Sequence, residues 1–385
     1  MKISQRAKVI EPSLGRKLFN MAQQFDDVID LTLGDPDIVP SHKIRDAACS
    51  AINQGKTRYS ANKGLLELRK KIAESVKREY QLSVDPEKEI ILTVGAMEAL
   101  FLSISCLIDE GDEVIIQAPY YINYVQMVRM CGGIPKIIYT DGENDFSFTT
   151  EQLEGAVTER TVAIIINSPC NPTGAILKQE KLEQLAAFAI KHDLVVISDE
   201  VYRSLVFDDV EFKSILNCKG MAPRTILIDS LSKRFAMTGY RIGYAIANEE
   251  LVNNMTKMQE NVAACAPLPS QYAGIAAFSE CLNDREIFNE FAMRRDYIYQ
   301  AINSMERLSC KKPEATFYLF VNIAETGLNC LDFAYRLLES QHVAVVPGIT
   351  YGSKYEDYIR ISFTLNLEKL QEAVGRIAKF IQSLD

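Results

Sequence analysis

The fold is decided by residues 161–200, "TVAIIINSPCNPTGAILKQEKLEQLAAFAIKHDLVVISDE". This stretch opens with the apolar, β-branched run "TVAIIIN" (161–167) and closes with a second one, "DLVVISDE" (193–200). The segment between them carries a stripe of apolar residues at helical spacing, at Leu182, Leu185, Ala186 and Ala189. Both runs are apolar along their whole length, so we expect neighbouring parallel strands that are joined by a crossover helix and covered on both faces.

The same alternation of strands and helices continues on both sides of this unit. Five more strands are predicted, at 89–94, 112–117, 134–140, 224–230 and 241–247. The sequence therefore predicts an α/β fold with a mostly parallel seven-stranded sheet sandwiched by helices. Past about residue 281 the helices become longer and the strands fewer, which indicates a second, smaller domain.

Composition and charge exclude several classes of protein. Charged residues make up 24% of the chain and the net charge is −9, which argues against nucleic acid or an anionic membrane as the main partner. The chain has no run of about 18 apolar residues and no apolar leader, so we expect a cytoplasmic protein. The 9 cysteines lack CxxC spacing and, with 3 isolated histidines, predict no metal site.

One candidate phosphate site follows the first predicted strand, where "GAMEALFLSISCLI" starts with Gly95. The backbone amides of Ala96 and Met97 should lie free at a helix N-terminus, where unpaired N–H groups and the helix dipole favour an anion. Taken alone, the pattern favours an ordinary tight turn between a strand and a helix.

Two further candidates follow the strands of the opening unit. The rigid loop "NSPCNPTGAI" (167–176) would hold the amide of Asn171 in a fixed direction. Asp199 ends the next strand, with Tyr202 shortly after it, and ligands of open α/β sheets bind at such strand ends. A stiff loop and a helix cap, respectively, are the competing interpretations.

The stretch "SLSKRFAMTGYRIG" (230–243) places Lys233 among groups that can bind a phosphate. An uncharged lysine amine is the usual nucleophile for Schiff-base chemistry, although most lysines are simply surface residues. Ser230, Ser232 and Arg241 supply hydroxyls and a fork of donors. A phosphate site, an amine for an aldehyde and a carboxylate for a ring nitrogen together describe pyridoxal 5′-phosphate.

The chain resembles the fold-type I, class I/II aminotransferases, the aspartate and aromatic aminotransferase superfamily. The resemblance runs from "VIDLTLGDPD" to "YIRISFTLN" and rests on "NPTG", "SDEVY" and "SLSKRFAMTGYRIGY" at these intervals. It implies a large pyridoxal-phosphate-binding domain at 47–280. An N-terminal arm and part of the small domain would occupy 1–46, and the rest of this α+β domain 281–385.

The resemblance also implies roles for the residues around the cofactor ring. Lys233 would bond the cofactor covalently and move a proton, and Asp199 would pair with the ring nitrogen. Tyr202 and Asn171 would bind the phenolic oxygen of the ring. Tyr121, in preference to its neighbour Tyr120, would stack on the ring face.

Phosphate and substrate groups are implied in the same way. The phosphate would be bound by residues from three segments, namely Gly95, Ala96, Met97, Ser230, Ser232 and Arg241. It would also be bound by Tyr59 from a second subunit, which predicts a homodimer. The substrate carboxylate would be bound by Arg360, with Asn171 and the backbone of Gly34 assisting. Leu14, Gly15 and Arg16 resemble a segment that caps the substrate in some members.

The resemblance predicts an enzyme that moves an amino group from an L-amino acid to a 2-oxo acid. Glutamate and 2-oxoglutarate are the expected pair on one side, in a ping-pong mechanism. A pyridoxal-phosphate-dependent carbon–sulfur β-lyase is the alternative. A ligand-sensing domain of a transcription regulator would need a basic winged-helix domain ahead of residue 31. Met97 and the absence of Lys and Arg from 258–284 depart from aspartate-specific relatives.

Overall fold

The computed structural model describes residues 2–384 apart from 13, 23, 283 and 284, and it leaves the side chains of 5, 16 and 19 undescribed. The strands are β1 Ile29–Asp30, β2 Ile90–Thr93, β3 Glu113–Ala118, β4 Ile134–Tyr139, β5 Thr161–Asn167, β6 Val195–Asp199, β7 Thr225–Ser230, β8 Gly243–Ile246, β9 Tyr318–Asn322, β10 Val343–Ala344, β11 Val346–Pro347 and β12 Tyr358–Ser362.

The α-helices are α1 Gln5–Lys8, α2 Leu14–Ala22, α3 His42–Asn53, α4 Leu66–Tyr80, α5 Gly95–Leu107, α6 Asn123–Met130, α7 Thr150–Ala156, α8 Gln179–Lys191, α9 Leu231–Arg234, α10 Glu249–Val262, α11 Leu268–Glu280, α12 Glu286–Asn303, α13 Cys330–Gln341 and α14 Leu367–Gln382. Short 3-10 helices lie at Ile215–Asn217, Ala222–Arg224, Thr238–Tyr240, Ala324–Thr326 and Gly348–Tyr351.

The predicted seven-stranded sheet is confirmed, with strand order β2-β8-β7-β6-β5-β3-β4. Every pair from β7 to β4 is parallel, and β8 runs antiparallel to both of its neighbours. Asn167 at the end of β5 pairs with Asp199 at the end of β6. The carboxyl ends of β5, β6 and β7 therefore meet at one edge of the sheet, where ligands of such folds bind.

Helices cover both faces of this sheet, because neighbouring residues of the buried strands feed two different cores. Ile116 packs with α5, α6 and α10, whereas Ile115 packs on the opposite face with α7 and α8. The apolar faces of α4 and α11 form a further core against β2 and β7. Full burial of both faces explains why these strands are apolar along their length.

A separate core joins the two ends of the chain. It contains residues of α2, α12, α13 and α14 and of the three-stranded antiparallel sheet β11-β12-β9. Ile29 of β1 pairs in parallel with Val343 of β10, which joins the N-terminal segment to the C-terminal one. The domain boundaries at 46 and 280 stay predictions. No helix in the described part of the chain is long and apolar enough to cross a membrane.

Candidate active site

A cavity of about 620 Å³ lies at the carboxyl ends of β5, β6 and β7. It is lined by most of the predicted site residues: Gly34, Ala96, Met97, Tyr121, Asn171, Asp199, Tyr202, Ser230, Ser232, Lys233, Arg241 and Arg360. Gly95 and Tyr59 are not part of this lining. Gly95 contacts the guanidinium of Arg241, which separates it from the cavity. Tyr59 is 86% exposed. Gly15 lines the cavity, and the side chain of Arg16 lies outside the described residues.

Lys233 reaches the cavity because β7 turns at Ser230 into the single turn of α9. Its amine donates a hydrogen bond of 2.6 Å to the carbonyl oxygen of Gly34. Burial lowers the pKa of the Lys233 amine to about 8, although the negative charge of Asp35 opposes this shift. A pKa near 8 leaves a useful fraction of the amine uncharged at neutral pH, as a nucleophile or general base requires.

Asp199 is held rigidly at the end of β6. Its Oδ2 accepts a hydrogen bond of 2.6 Å from the hydroxyl of Tyr124, and its Oδ1 accepts one of 3.3 Å from the backbone N–H of Val201. Burial raises the pKa of this carboxyl to about 6, against the lowering effect of the Tyr124 hydrogen bond. A nearby cation would lower this pKa again, so the position is suited to a positively charged ring nitrogen.

The start of α5 and Arg241 form a close cradle. Gly95 has φ +71, and a Cβ at this position would lie 2.4 Å from Nη2 of Arg241. A Cβ on Gly243 would lie 2.6 Å from the backbone nitrogen of Ala96. These two glycines allow the guanidinium of Arg241 and the first turn of α5 to approach one another, which concentrates donors for an anion.

Arg360 extends from β12 towards the loop that contains Asn171. Its Nη1 donates a hydrogen bond of 3.1 Å to Oδ1 of Asn171, and its Nη2 donates one to the carbonyl oxygen of Thr32. Its Nε is buried without a partner among the described residues. A buried guanidinium with an unused donor is suited to a carboxylate, which accepts two parallel hydrogen bonds.

Tyr318 was not predicted from the sequence, and it connects two parts of the site. Its hydroxyl lies 3.1 Å from the hydroxyl of Tyr202, and its ring centroid lies 4.2 Å from the guanidinium carbon of Arg360. Gly34 allows this position, because a Cβ there would lie 1.8 Å from the Tyr318 hydroxyl oxygen. The sequence separation of Tyr202 and Tyr318 leaves no local signal for the contact.

Tyr124 was missed as well, although a signal exists. It lies three residues after Tyr121 at the start of α6, and the two rings meet edge to face with centroids 5.6 Å apart. Tyr121 precedes α6, and the backbone N–H of Tyr124 bonds to the carbonyl oxygen of Tyr121, so a turn brings the two side chains together. Tyr121 lines the cavity, whereas Tyr120 does not and its backbone N–H bonds to the carbonyl oxygen of Tyr351.

An amine and a buried carboxylate at the strand ends of the large sheet share one cavity with a buried guanidinium from β12, which is the set of groups that a pyridoxal-phosphate-dependent transferase requires. The chain belongs to the class I and II aminotransferases, because the family model described as "Aminotransferase class I and II" matches residues 26–377. The protein is accordingly an aminotransferase that depends on pyridoxal 5′-phosphate.

Individual relatives are similar over almost the whole chain. The chain is 40% identical to the aspartate aminotransferase of Pyrococcus abyssi, over 99% of both sequences. It is 38% identical to aromatic-amino-acid aminotransferase 2 of Thermococcus litoralis, again over 99% of both. Its structure is similar to that of Thermus thermophilus aspartate aminotransferase with maleate, with a TM-score of 0.93, 34% identity and coverage of 98% and 99%.

The donor set fits this cofactor. The amine of Lys233 has a lowered pKa, Asp199 is a buried carboxylate in need of a cation, and the first turn of α5 forms an anion cradle with Arg241. The lining of one cavity thus contains a group that suits each of the three reactive parts of the cofactor, which are its aldehyde, its ring nitrogen and its phosphate.

Proposed function

We propose that this aminotransferase moves an amino group from an L-amino acid to a 2-oxo acid, with glutamate and 2-oxoglutarate as one pair, in a ping-pong mechanism. The observation that carries the proposal is the convergence of Lys233, Asp199 and Arg360 on one cavity, where the charges of Arg360 and Asp199 both act on the Lys233 amine. A substrate carboxylate bound at Arg360 would thus place its Cα near that amine.

Lys233 would act on the proton that has to move. When bound, pyridoxal 5′-phosphate supplies an aldehyde that takes up the amino group and a ring that stores the electron pair released from Cα. The uncharged Lys233 amine, once displaced by the substrate, would accept the Cα proton and deliver it to the cofactor carbon on the other side of the amino nitrogen, two atoms from Cα. Its lowered pKa suits both steps, because a base works best when its pKa lies near the working pH.

Asp199 would keep the ring nitrogen protonated. Two opposite charges about 4 Å apart attract by roughly 4 kcal/mol at an effective dielectric constant of about 20. That attraction corresponds to about three pKa units before desolvation is subtracted. The hydrogen bond from Tyr124 fixes the direction of the carboxylate, so this stabilisation costs no rearrangement.

Arg360 and Asn171 would bind and orient the substrate. The guanidinium is already oriented by Asn171 and Thr32, so little side-chain entropy is lost when a carboxylate binds. Aspartate and the aromatic amino acids are the first amino donors to test, because relatives of this chain are named for them.

A cytoplasmic location is part of the proposal.

A homodimer is also part of the proposal, because Tyr59 is exposed and would reach the phosphate of a second subunit. Sedimentation of the protein and of a Tyr59→Phe variant would test the homodimer. An active monomer would contradict it.

Amino transfer distinguishes this function from the lyase alternative. The protein should turn over an aromatic amino acid or aspartate repeatedly only in the presence of a 2-oxo acid, with parallel lines in double-reciprocal plots. Release of pyruvate and sulfide from sulfur-containing amino acids without any 2-oxo acid would favour the β-lyase instead. Lys233→Ala should lose turnover, whereas Lys369→Ala, a change at an exposed lysine in α14, should not.

A further inference from the structure

A cluster of charged and polar side chains lies next to the candidate site and is not explained by the proposed reaction. We call it the arginine cluster, and it consists of Glu79, Arg203, Asp229, Arg234 and Tyr244. Three of its members are direct chain neighbours of predicted site residues. Arg203 follows Tyr202, Asp229 precedes Ser230, and Arg234 follows Lys233.

Arg203 is the centre of this cluster, with only 5% of its side chain exposed. Its Nε lies 2.7 Å from Oδ2 of Asp229, and its Nη2 lies 3.1 Å from the hydroxyl of Tyr244. Its Nη1 forms an ion pair with Glu79. The Tyr244 hydroxyl also donates a 2.7 Å hydrogen bond to Asp229. All three nitrogens of the planar guanidinium are thus in use, which a lysine cannot reproduce.

The cluster holds the turn that carries Lys233 at both of its ends. At the start of the turn, Oδ1 of Asp229 accepts a hydrogen bond of 2.6 Å from the backbone N–H of Ser230. At its end, Nη2 of Arg234 lies 2.8 Å from Oε1 of Glu79. Glu79 belongs to α4, so the short turn is attached to a helix of 15 residues.

The positive and negative charges of the arginine cluster are equal in number, so its members depend on one another for pairing. The cluster contains two carboxylates, Glu79 and Asp229, and two guanidinium groups, Arg203 and Arg234. Burial raises the pKa of the Glu79 carboxyl, but Arg203 and Arg234 together outweigh burial and hold this pKa well below its usual range. An unpaired charge is costly inside a protein, so the loss of one member forces the others to move.

We propose that Arg203 is a positioning residue, which through the arginine cluster fixes Lys233 and Ser230 relative to Tyr202. The inference rests on the proposed function, because it takes these three residues as cofactor-binding groups. Lys233 and Tyr202 would hold the linking nitrogen and the ring oxygen between which a proton is shared. The relative position of the two side chains therefore sets the pKa of that nitrogen.

The test is Arg203→Lys in the protein loaded with pyridoxal 5′-phosphate. The pH titration of the visible absorption reports the protonation of the nitrogen that links cofactor and protein, and it needs no substrate. We expect a shifted titration midpoint and a kcat that is lower by on the order of 10- to 100-fold, because small misplacements near reacting atoms cost this much. The KM should change less than kcat.

Arg295→Lys is the matched control, since Arg295 is 1% exposed and pairs with Asp208 and Asp296 away from the cavity. It should lower stability to urea by a similar amount and leave midpoint and kcat unchanged. A wild-type midpoint and kcat in Arg203→Lys would overturn the proposal, as would equal changes in the control. If Arg203→Lys does not fold, Tyr244→Phe decides, and an unshifted midpoint in that variant overturns the proposal. If the wild-type protein binds the cofactor but transfers no amino group, the proposed function fails while the titration still tests the positioning role.

Discussion

The replacement of Arg360 by lysine tests how the site recognises its substrate. Lysine keeps the positive charge and loses the planar fork, so one of two hydrogen bonds to a substrate carboxylate is lost. A hydrogen bond to a charged group contributes about 1.5–3 kcal/mol. Because about 1.4 kcal/mol corresponds to a factor of ten, kcat/KM for an amino acid should fall about 10- to 100-fold. The loss of the contact to Asn171, now 3.1 Å, acts in the same direction.

The assay compares an amino acid with the amine that lacks its carboxylate, for example tyrosine with tyramine, in single-turnover measurements of cofactor absorption. Arg360→Lys should react more slowly with the amino acid and at an unchanged rate with the amine. Arg295→Lys, a buried arginine outside the cavity, should match the wild type with both compounds. The reasoning is refuted if Arg360→Lys reacts with the amino acid at the wild-type rate, or if both compounds are slowed equally.

Three further predictions concern the cavity wall. After removal of the cofactor, the rate at which Lys233 bonds added pyridoxal 5′-phosphate should rise about tenfold per pH unit and level off near pH 8. The reason is that the uncharged fraction of the Lys233 amine rises only up to its pKa. With an ordinary lysine the rate would continue to rise to about pH 10.4, which would contradict the prediction. Tyr318→Phe should lower kcat/KM by about two- to tenfold, since one neutral hydrogen bond to Tyr202 is lost, and an unchanged kcat/KM would contradict this. Gly34→Ala should lower kcat/KM more than Tyr318→Phe does. The added Cβ would lie 1.8 Å from the Tyr318 hydroxyl oxygen and would displace the Gly34 carbonyl, which accepts a hydrogen bond from Lys233. Equal kcat/KM values in the two variants would argue against this reasoning.

The sequence was sufficient for the large sheet. Strands β2 to β8 each lie within or next to a predicted range, because runs that are buried on both faces are apolar throughout. The antiparallel direction of β8 had no such signal, because an apolar run has the same composition in either direction. The short pairing of Ile29 with Val343 depends on how the chain ends meet, which no local pattern reports.

The candidate site shows the same division. Residues in motifs, such as Asn171, Asp199 and Lys233, were predicted because each motif fixes a local turn and a strand end. Tyr318 and the ion pairs of Arg203 were not predicted, because they depend on contacts between segments that are distant in sequence. Tyr59 was predicted only through the resemblance, and its exposure leaves its role as a prediction.

The central claim is that Lys233 is the cofactor lysine, and reduction with borohydride tests it most directly. The loaded protein would be reduced, digested and analysed by mass spectrometry, so that a cofactor on any lysine becomes a stable mass label. We expect a single labelled peptide with the label on Lys233, and no label when the same treatment is applied to Lys233→Ala. A label on another lysine in the active wild-type protein would contradict the account.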